Sequence, residues 1–296
     1  MCFLPVTQPW GTNIMSEQQL TSERRTFFGK IAISLAAMFP ILSACAEPNQ
    51  EKTAVKGESS ETVKALQKQL AELSNKLGVM EDTHAIRCLQ HKYGYYLDKC
   101  LYSETVDLFA EGCEVRFLGG IFKGKTGAKR LYIDTFRNAF TNGYNGPLPG
   151  FLLDHLQLQD VVDVAPDRMT AKARFRTLMQ AGAHKDSDAP MAKADREAGR
   201  PPRQWWEGGI YENTYAKEDG VWKIKILNYH PFWHADYDKG WAYTKPEYVP
   251  AMSKTYPENP TGPDELDPDY HGLWPVTDVI PFHYPHPVTG KMWEKA

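Results

Sequence analysis

His155, in the run Leu153-Asp154-His155-Leu156, is an imidazole on an apolar background. Its ordinary pKa of about 6.5 equips it to take or give a proton at neutral pH. Asp98 closes a helical stretch and is expected to steer that imidazole or to hold a substrate hydroxyl. Tyr96, at the same helix end, is assigned proton donation to a departing hydroxyl, and its neighbour Tyr95 a place against the substrate. Asn228 and His230 lie two apart, so on an extended strand they share a face. There the imidazole adds a second acid–base group, and the amide is suited to an aryl hydroxyl or methoxyl. Trp205 and Trp206 place one ring on each side of a strand, the inward one ready to stack on an aromatic molecule, and Phe232 extends the apolar wall. The expected catalytic set is therefore His155, Asp98, Tyr96 and His230, with Tyr95, Asn228, Trp205, Trp206 and Phe232 binding substrate. The chemistry such groups support is cofactor-free acid–base catalysis. Each also has a plainer reading as a satisfied core histidine, a helix-end carboxylate or a packed phenol.

These residues need elements to hold them. Ile86, Leu89, Tyr93, Tyr96 and Leu97 recur at helical spacing, and Asp82 or Thr83 is suited to cap their helix. A short helix is expected around residues 104–109. A hairpin should follow, its strands at 114–118 and 121–123 joined across Gly119-Gly120, and then a helix over 128–140. Four long extended segments, 151–164, 169–180, 205–215 and 221–233, read as an antiparallel meander. On the last of them, strict alternation puts Trp222, Ile224, Ile226, Asn228, His230 and Phe232 on one inward face. Lys172, Arg174 and Arg176 share a face of their strand and read as solvated. Helices followed by a meander make an α+β domain, with helices packed on one face of the sheet.

Around this body, 1–45 reads as an export segment. Arg24-Arg25 followed by Phe27-Phe28 resembles a twin-arginine signal, and Leu42-Ser43-Ala44-Cys45 resembles a lipoprotein-processing box in which Cys45 is acylated. The expected location is the periplasm of a Gram-negative bacterium, with a lipid anchor in the membrane. Residues 46–61, rich in Lys, Glu and Ser, read as a tether. Within 62–80, Val63, Leu66, Leu70, Leu73, Leu77 and Met80 alternate spacings of three and four, a seam for docking or for a homodimer contact. The body spans 81–234. The tail, 235–296, holds ten Pro, three Trp and six Tyr without helical or strand period and is expected to wrap the body in an ordered way, His283 and His286 forming part of a Pro-aromatic lid.

Composition excludes several functions. A net charge of -3 with no basic tract gives no footprint for nucleic acid. There is no GxSxG elbow, GxGxxG loop or GxxxxGK loop. His230, His234 and Asp236 do not align as metal ligands in an extended segment broken by Pro231, and no HExxH occurs, so neither metal nor cofactor is expected. Cys88, Cys100 and Cys113 form no CxxC pair.

The run from Glu81-Asp82 through Ile86, Leu89 and Tyr93 to Asp98, with Leu108-Phe109, the Gly124 and Gly127 turn, His155, Gly209-Ile210-Tyr211-Glu212 and Asp219-Gly220-Val221-Trp222, resembles the SnoaL-like group of the nuclear-transport-factor-2-like superfamily. The resemblance implies a curved sheet and helices forming a cone open to a small hydrophobic molecule, with no metal or organic cofactor. It matches Asp98 and His155 to the helix aspartate and strand histidine of the dehydratase-like members. Leu97 stands where those members have Tyr, and Cys100 and Leu101 where they have Asp-Trp, which departs from strict scytalone dehydratase chemistry. The layout is also similar to formaldehyde-releasing lyases of lignin-derived diaryl diols, which implies a lyase acting on a hydroxylated aromatic compound. The alternatives implied are a non-catalytic periplasmic binding lipoprotein and a ketosteroid-isomerase-like isomerase.

Overall fold

The computed structural model describes residues 55–245 and 248–294. Arg24, Arg25 and Cys45 lie outside the described residues. The chain divides into two compact units, Met1–Ala65 and Leu66–Ala296. Of the first, only the opening turns of a helix are described.

That helix, α1 (Val55–Asp98), begins inside the stretch expected to be a tether and runs unbroken past Asp82 and Thr83. The expected cap at Asp82 does not form because the helix is already under way there and leaves no unpaired N–H groups to cap, and the carboxylate is engaged elsewhere. Arg168 Nε and Lys217 Nζ each donate to it at 2.6 Å, and Trp222 Nε1 donates at 2.9 Å. Burial opposes ionisation of Asp82, but these three donors outweigh it and bring its pKa down to about 2. The face that docks on the sheet is Asp82, Ile86, Gln90, Tyr93 and Leu97, all buried, at spacings of three and four. Gly94 lets the helix come close: a Cβ there would stand 2.7 Å from Gln157 Cγ and 3.1 Å from the His155 carbonyl.

Next come α2 (Tyr102–Asp107), β1 (Phe109–Phe117), β2 (Gly120–Lys123) and a helical segment. The β1–β2 turn is Leu118-Gly119, both with positive φ, one residue earlier than expected. The helical segment is α3 (Gly124–Lys129), a π-helical stretch over Arg130–Arg137 and α4 (Asn138–Thr141). The meander is β3 (Phe151–Val164), β4 (Thr170–Ala183), β5 (Gln204–Glu218) and β6 (Val221–Asp236). The link between β4 and β5 carries α5 (Pro190–Glu197). A two-residue strand, β7 (Glu265–Leu266), belongs to the tail.

Together they make an α+β fold around a curved sheet in the order β3-β4-β5-β6-β1-β2-β7. β1 runs parallel to β6, and every other neighbour is antiparallel. The concave face, α1 and the π-helical stretch enclose a core of aromatic rings that includes Tyr93, Phe109, Tyr132, Phe175, Tyr211 and Tyr215.

Strand β6 departs from simple alternation at two places. Opposite Thr214 and Tyr215 it advances two residues, from Ile226 to Ile224, and opposite Gly208 and Gly209 it advances from Trp233 to Pro231. Each extra residue, Lys225 and then Phe232, is a bulge that reverses which side chains face inward. Trp222 and Ile224 face the core, then Leu227 and Tyr229, and after the second bulge His234 faces the cavity. This overturns the expectation for Ile226, Asn228, His230 and Phe232, which lie in the reversed phase.

The outer sheet face is covered by the tail. Trp274 N–H donates to the Phe232 carbonyl at 2.7 Å. Arg174 donates to the carbonyls of Ile280 and Pro281, and its guanidinium lies 4.2 Å from the Phe282 ring centre. Arg174 is therefore not the solvated cation the pattern suggested; Arg176 and Lys172 are exposed.

Candidate active site: an aromatic cavity with two imidazoles

A cavity of about 250 Å³ opens between the concave face, the end of α1 and the π-helical stretch. Its wall is almost wholly apolar, built from rings such as Phe117, Phe136 and Phe140 with Leu97, Leu153 and Met179. Tyr93, Tyr102 and Tyr132 line it from the helices, and two clusters of titratable groups enter it from strand positions.

The first is His155 on β3 and Tyr211 on β5. His155 Nε2 and the Tyr211 hydroxyl lie 2.8 Å apart, both groups buried. Burial in this apolar setting disfavours the imidazolium and lowers the His155 pKa to about 4, so the ring is neutral at pH 7. Burial likewise pushes the Tyr211 phenol well above its ordinary value. Behind them the Tyr93 and Tyr132 hydroxyls meet at 2.8 Å.

The second cluster is Glu207 on β5 with Tyr229 and His234 on β6. His234 Nδ1 lies 2.8 Å from Glu207 Oε2, and the Tyr229 hydroxyl donates to Glu207 Oε1. Burial by itself would raise the Glu207 pKa, yet the His234 and Tyr229 hydrogen bonds hold it below the ordinary carboxylate range. A carboxylate accepting from Nδ1 leaves Nε2 of a neutral His234 with its lone pair. Trp205 stacks on the His234 ring, with centroids 5.7 Å apart, and its own Nε1 is buried without a partner. Tyr229 stacks on Tyr211 at 4.7 Å and joins the two clusters.

The expected site residues divide. His155 and Trp205 line this cavity, whereas His230 does not. It points to the outer face, 6.0 Å from the His271 ring, because the Lys225 bulge has reversed the strand by that point. Asn228 and Phe232 turn outward for the same reason, Phe232 lying under the Arg176 guanidinium. Asp98 does not steer the imidazole of His155; its Oδ1 accepts the backbone N–H of that residue at 2.6 Å and so pins β3 to the helix end. Tyr95 is 71% exposed, and Tyr96 is only half-buried and outside the cavity wall. The cavity side of α1 is Tyr93 and Leu97, and Tyr95 lies about 200° around the helix from Tyr93. Trp206 stacks on Tyr237 at 5.3 Å on the far side of the sheet. His283 sits on the outer face against Glu212 and Asp163, away from the cavity.

Glu207, Tyr211, Tyr229 and His234 were missed. A signal existed for two of them: Glu207 and Tyr211 are four apart on one strand, an even number, with glycines between. Among the described residues, no three His, Cys, Asp or Glu side chains converge as metal ligands.

An α+β cone whose concave sheet face encloses an aromatic cavity with paired acid–base groups defines the class. The chain belongs to the SnoaL-like domain family, whose model matches residues 78–228. Among solved structures it is similar to a putative scytalone dehydratase from Novosphingobium aromaticivorans DSM 12444, with 22% identity, 55% of this chain and 91% of that chain covered, and a TM-score of 0.42. It is also similar to a type 2 hexachlorocyclohexane dehydrochlorinase, LinA, with 17% identity, 54% and 92% covered, and a TM-score of 0.42. A third likeness is to an NTF2-like protein with a cystatin-like fold from Novosphingobium aromaticivorans, with 18% identity, 58% and 93% covered, and a TM-score of 0.38. No curated protein matches the chain.

Proposed function

We propose that the protein is a cofactor-independent lyase that eliminates water, or water and formaldehyde, from a hydroxylated aromatic compound held in this cavity. The observation that carries the reading is the convergence of a carboxylate-bound imidazole, His234, and a phenol–imidazole pair, Tyr211 and His155, on one enclosed apolar volume. Two proton-handling centres in different environments are what an elimination needs: one takes a proton while the other gives one to the departing oxygen.

In this reading His234 Nε2 is the base, held in its tautomer by Glu207. Tyr211 donates its proton to the benzylic hydroxyl, which leaves as water, and His155 Nε2–H supports the phenolate that remains. The low-polarity wall strengthens each of these interactions. A para-phenol on the substrate, deprotonated by the base, supplies the electron pair that expels the hydroxyl and leaves a quinone methide. With a diaryl propanediol, the Tyr211 phenolate then takes the terminal CH2O–H proton, the carbon–carbon bond breaks, and protonated His234 returns its proton to the product phenolate. Formaldehyde departs, the ring regains its aromaticity, and an alkene between the two aryl groups remains. A lignin-derived diaryl diol is the first substrate to test because the resemblance to formaldehyde-releasing lyases points there. Export and lipid attachment at Cys45 complete the proposal; a Cys45→Ser chain that still labels with palmitate would remove the anchor.

The test is incubation without added cofactor, with a para-hydroxylated diaryl propanediol and separately with a hydroxylated naphthalene. Product mass is followed and formaldehyde assayed in parallel. Loss of water alone defines a dehydratase, and loss of water with formaldehyde the deformylating form. An isomer of unchanged mass would reassign the site to isomerisation. Saturable binding with no product would make the protein a carrier.

A further inference from the structure

Every residue of α1 from Leu66 to Leu77 is exposed, so this part of the helix packs on nothing in its own chain among the described residues. Yet Leu66, Leu70, Leu73, Leu77 and Met80 are each more than half exposed, at 59, 67, 65, 56 and 69%. Their spacings of four, three, four and three form one stripe. At 100° per residue this stripe lies roughly opposite the face of Asp82, Ile86 and Gln90 that docks on the sheet. It therefore points away from the body.

We infer that the stripe pairs with the same stripe of a second copy, in parallel, as a short two-stranded coiled coil. Strict alternation of three and four suits knobs-into-holes packing against a helix with the same repeat, and an identical chain supplies one in register. Taking Leu70 and Leu77 as a positions with Leu66, Leu73 and Met80 as d, the flanking e and g positions include Gln67, Gln69, Ser74, Lys76 and Glu81. In parallel register Lys76 faces Glu81 of the second copy, and no like charges meet. The stripe offers roughly 600 Å² per copy, so that the pair reaches about the 1,200 Å² at which stable interfaces begin. The outer sheet face, the other broad surface for self-association, is occupied by the chain's own tail.

The test is sedimentation equilibrium of the full-length protein from 1 to 200 µM. A dimer is expected, and the double variant Leu70→Glu, Leu73→Glu should associate at least tenfold more weakly while melting at an unchanged temperature. A second variant reads direction. In parallel register Leu70→Cys places two thiols across the same layer, and mild oxidation should link the copies while the unsubstituted chain stays unlinked. In antiparallel register Leu70 faces Leu73, and that link does not form. A wild-type monomer throughout the range, or a dimer indifferent to the double substitution, overturns the inference. So does capture of the wild-type monomer by phosphatidylcholine vesicles that the double substitution abolishes, and a dimer whose Leu70→Cys copies fail to link overturns its direction.

Discussion

Strand β5 carries a buried glutamate and, five residues on, a partly buried one, and their fates differ. Glu207 faces inward, where it holds His234 and Tyr229 at the wall of an enclosed space. Glu212 faces outward, where it holds Arg174 and His283 and so ties the tail to the sheet. Burial opposes the charge on both, and hydrogen-bonded partners restore it on both. The chemistry of the pair, carboxylate with imidazole, is the same on the two faces. What differs is what lies beside it: on the inside Glu207 and His234 themselves line an almost wholly apolar cavity, while on the outside Arg174 and the Phe282 ring stand between the pair and a more polar hollow. A polar cluster can act on a bound molecule only where it borders room for one.

The contrast can be broken most directly by activity. His234→Ala should reduce turnover by about 10²- to 10⁴-fold, the range for losing a positioned base, while Glu212→Gln should leave the rate constant per folded molecule unchanged. Equal losses in the two variants would erase the distinction. Next in size is an acid effect on stability. Folded His155 takes its proton near pH 4, whereas an unfolded imidazole takes it near 6.5, so between those values the unfolded chain binds more protons. Stability is then fully present above about 6.5 and falls as pH drops toward 4, by about 3 kcal/mol in all. Denaturant melts across this window should show the slope, and His155→Gln should reduce it; a variant with the wild-type slope would refute the assignment. His230, whose pKa burial also lowers to about 4, adds to the same window from the outer face, which is why the substitution reduces the slope without abolishing it.

Smaller is the outer tie. Glu212→Gln removes charge-assisted bonds from Arg174 and His283 and should cost about 2 kcal/mol, read as a lower melting temperature and faster proteolysis within 270–290. Smallest is Tyr95→Ser, a change on the exposed side of α1. Turnover should hold, and stability should stay within about 0.5 kcal/mol.

Much of the architecture was legible because it rests on local periodicity. The long strands declared themselves through alternation, α1 through its repeat of three and four, and the first hairpin through its glycines. His155 was legible as an imidazole in an apolar strand. The rest of the cavity was not, for a reason that lies in one strand. The bulges at Lys225 and Phe232 leave no mark in composition; they are visible only in the pairing with β5. Strict alternation carried across the first selects Asn228 and His230 in place of Leu227 and Tyr229; the second restores the original phase, and His234 falls one residue past the expected strand end at 233. Asp98 was located correctly beside His155, but its bond goes to the backbone, a distinction that residue types alone do not make. Asp82 matched a helix cap, and only the fold brings Arg168, Lys217 and Trp222 to it from far along the chain.

The doubled bulge in β6 also bears on how such a pocket diversifies. Substitution changes one side chain in place, but taking Phe232 into the ladder, with the bulge ironed out, would turn His234 out of the cavity and Trp233 into it. Taking Lys225 into the ladder would instead bring the Asn228 and His230 phase inward. Shifts of pairing by one residue, usually regarded as damage within a strand, can thus act here as a selector among polar side chains the chain already encodes.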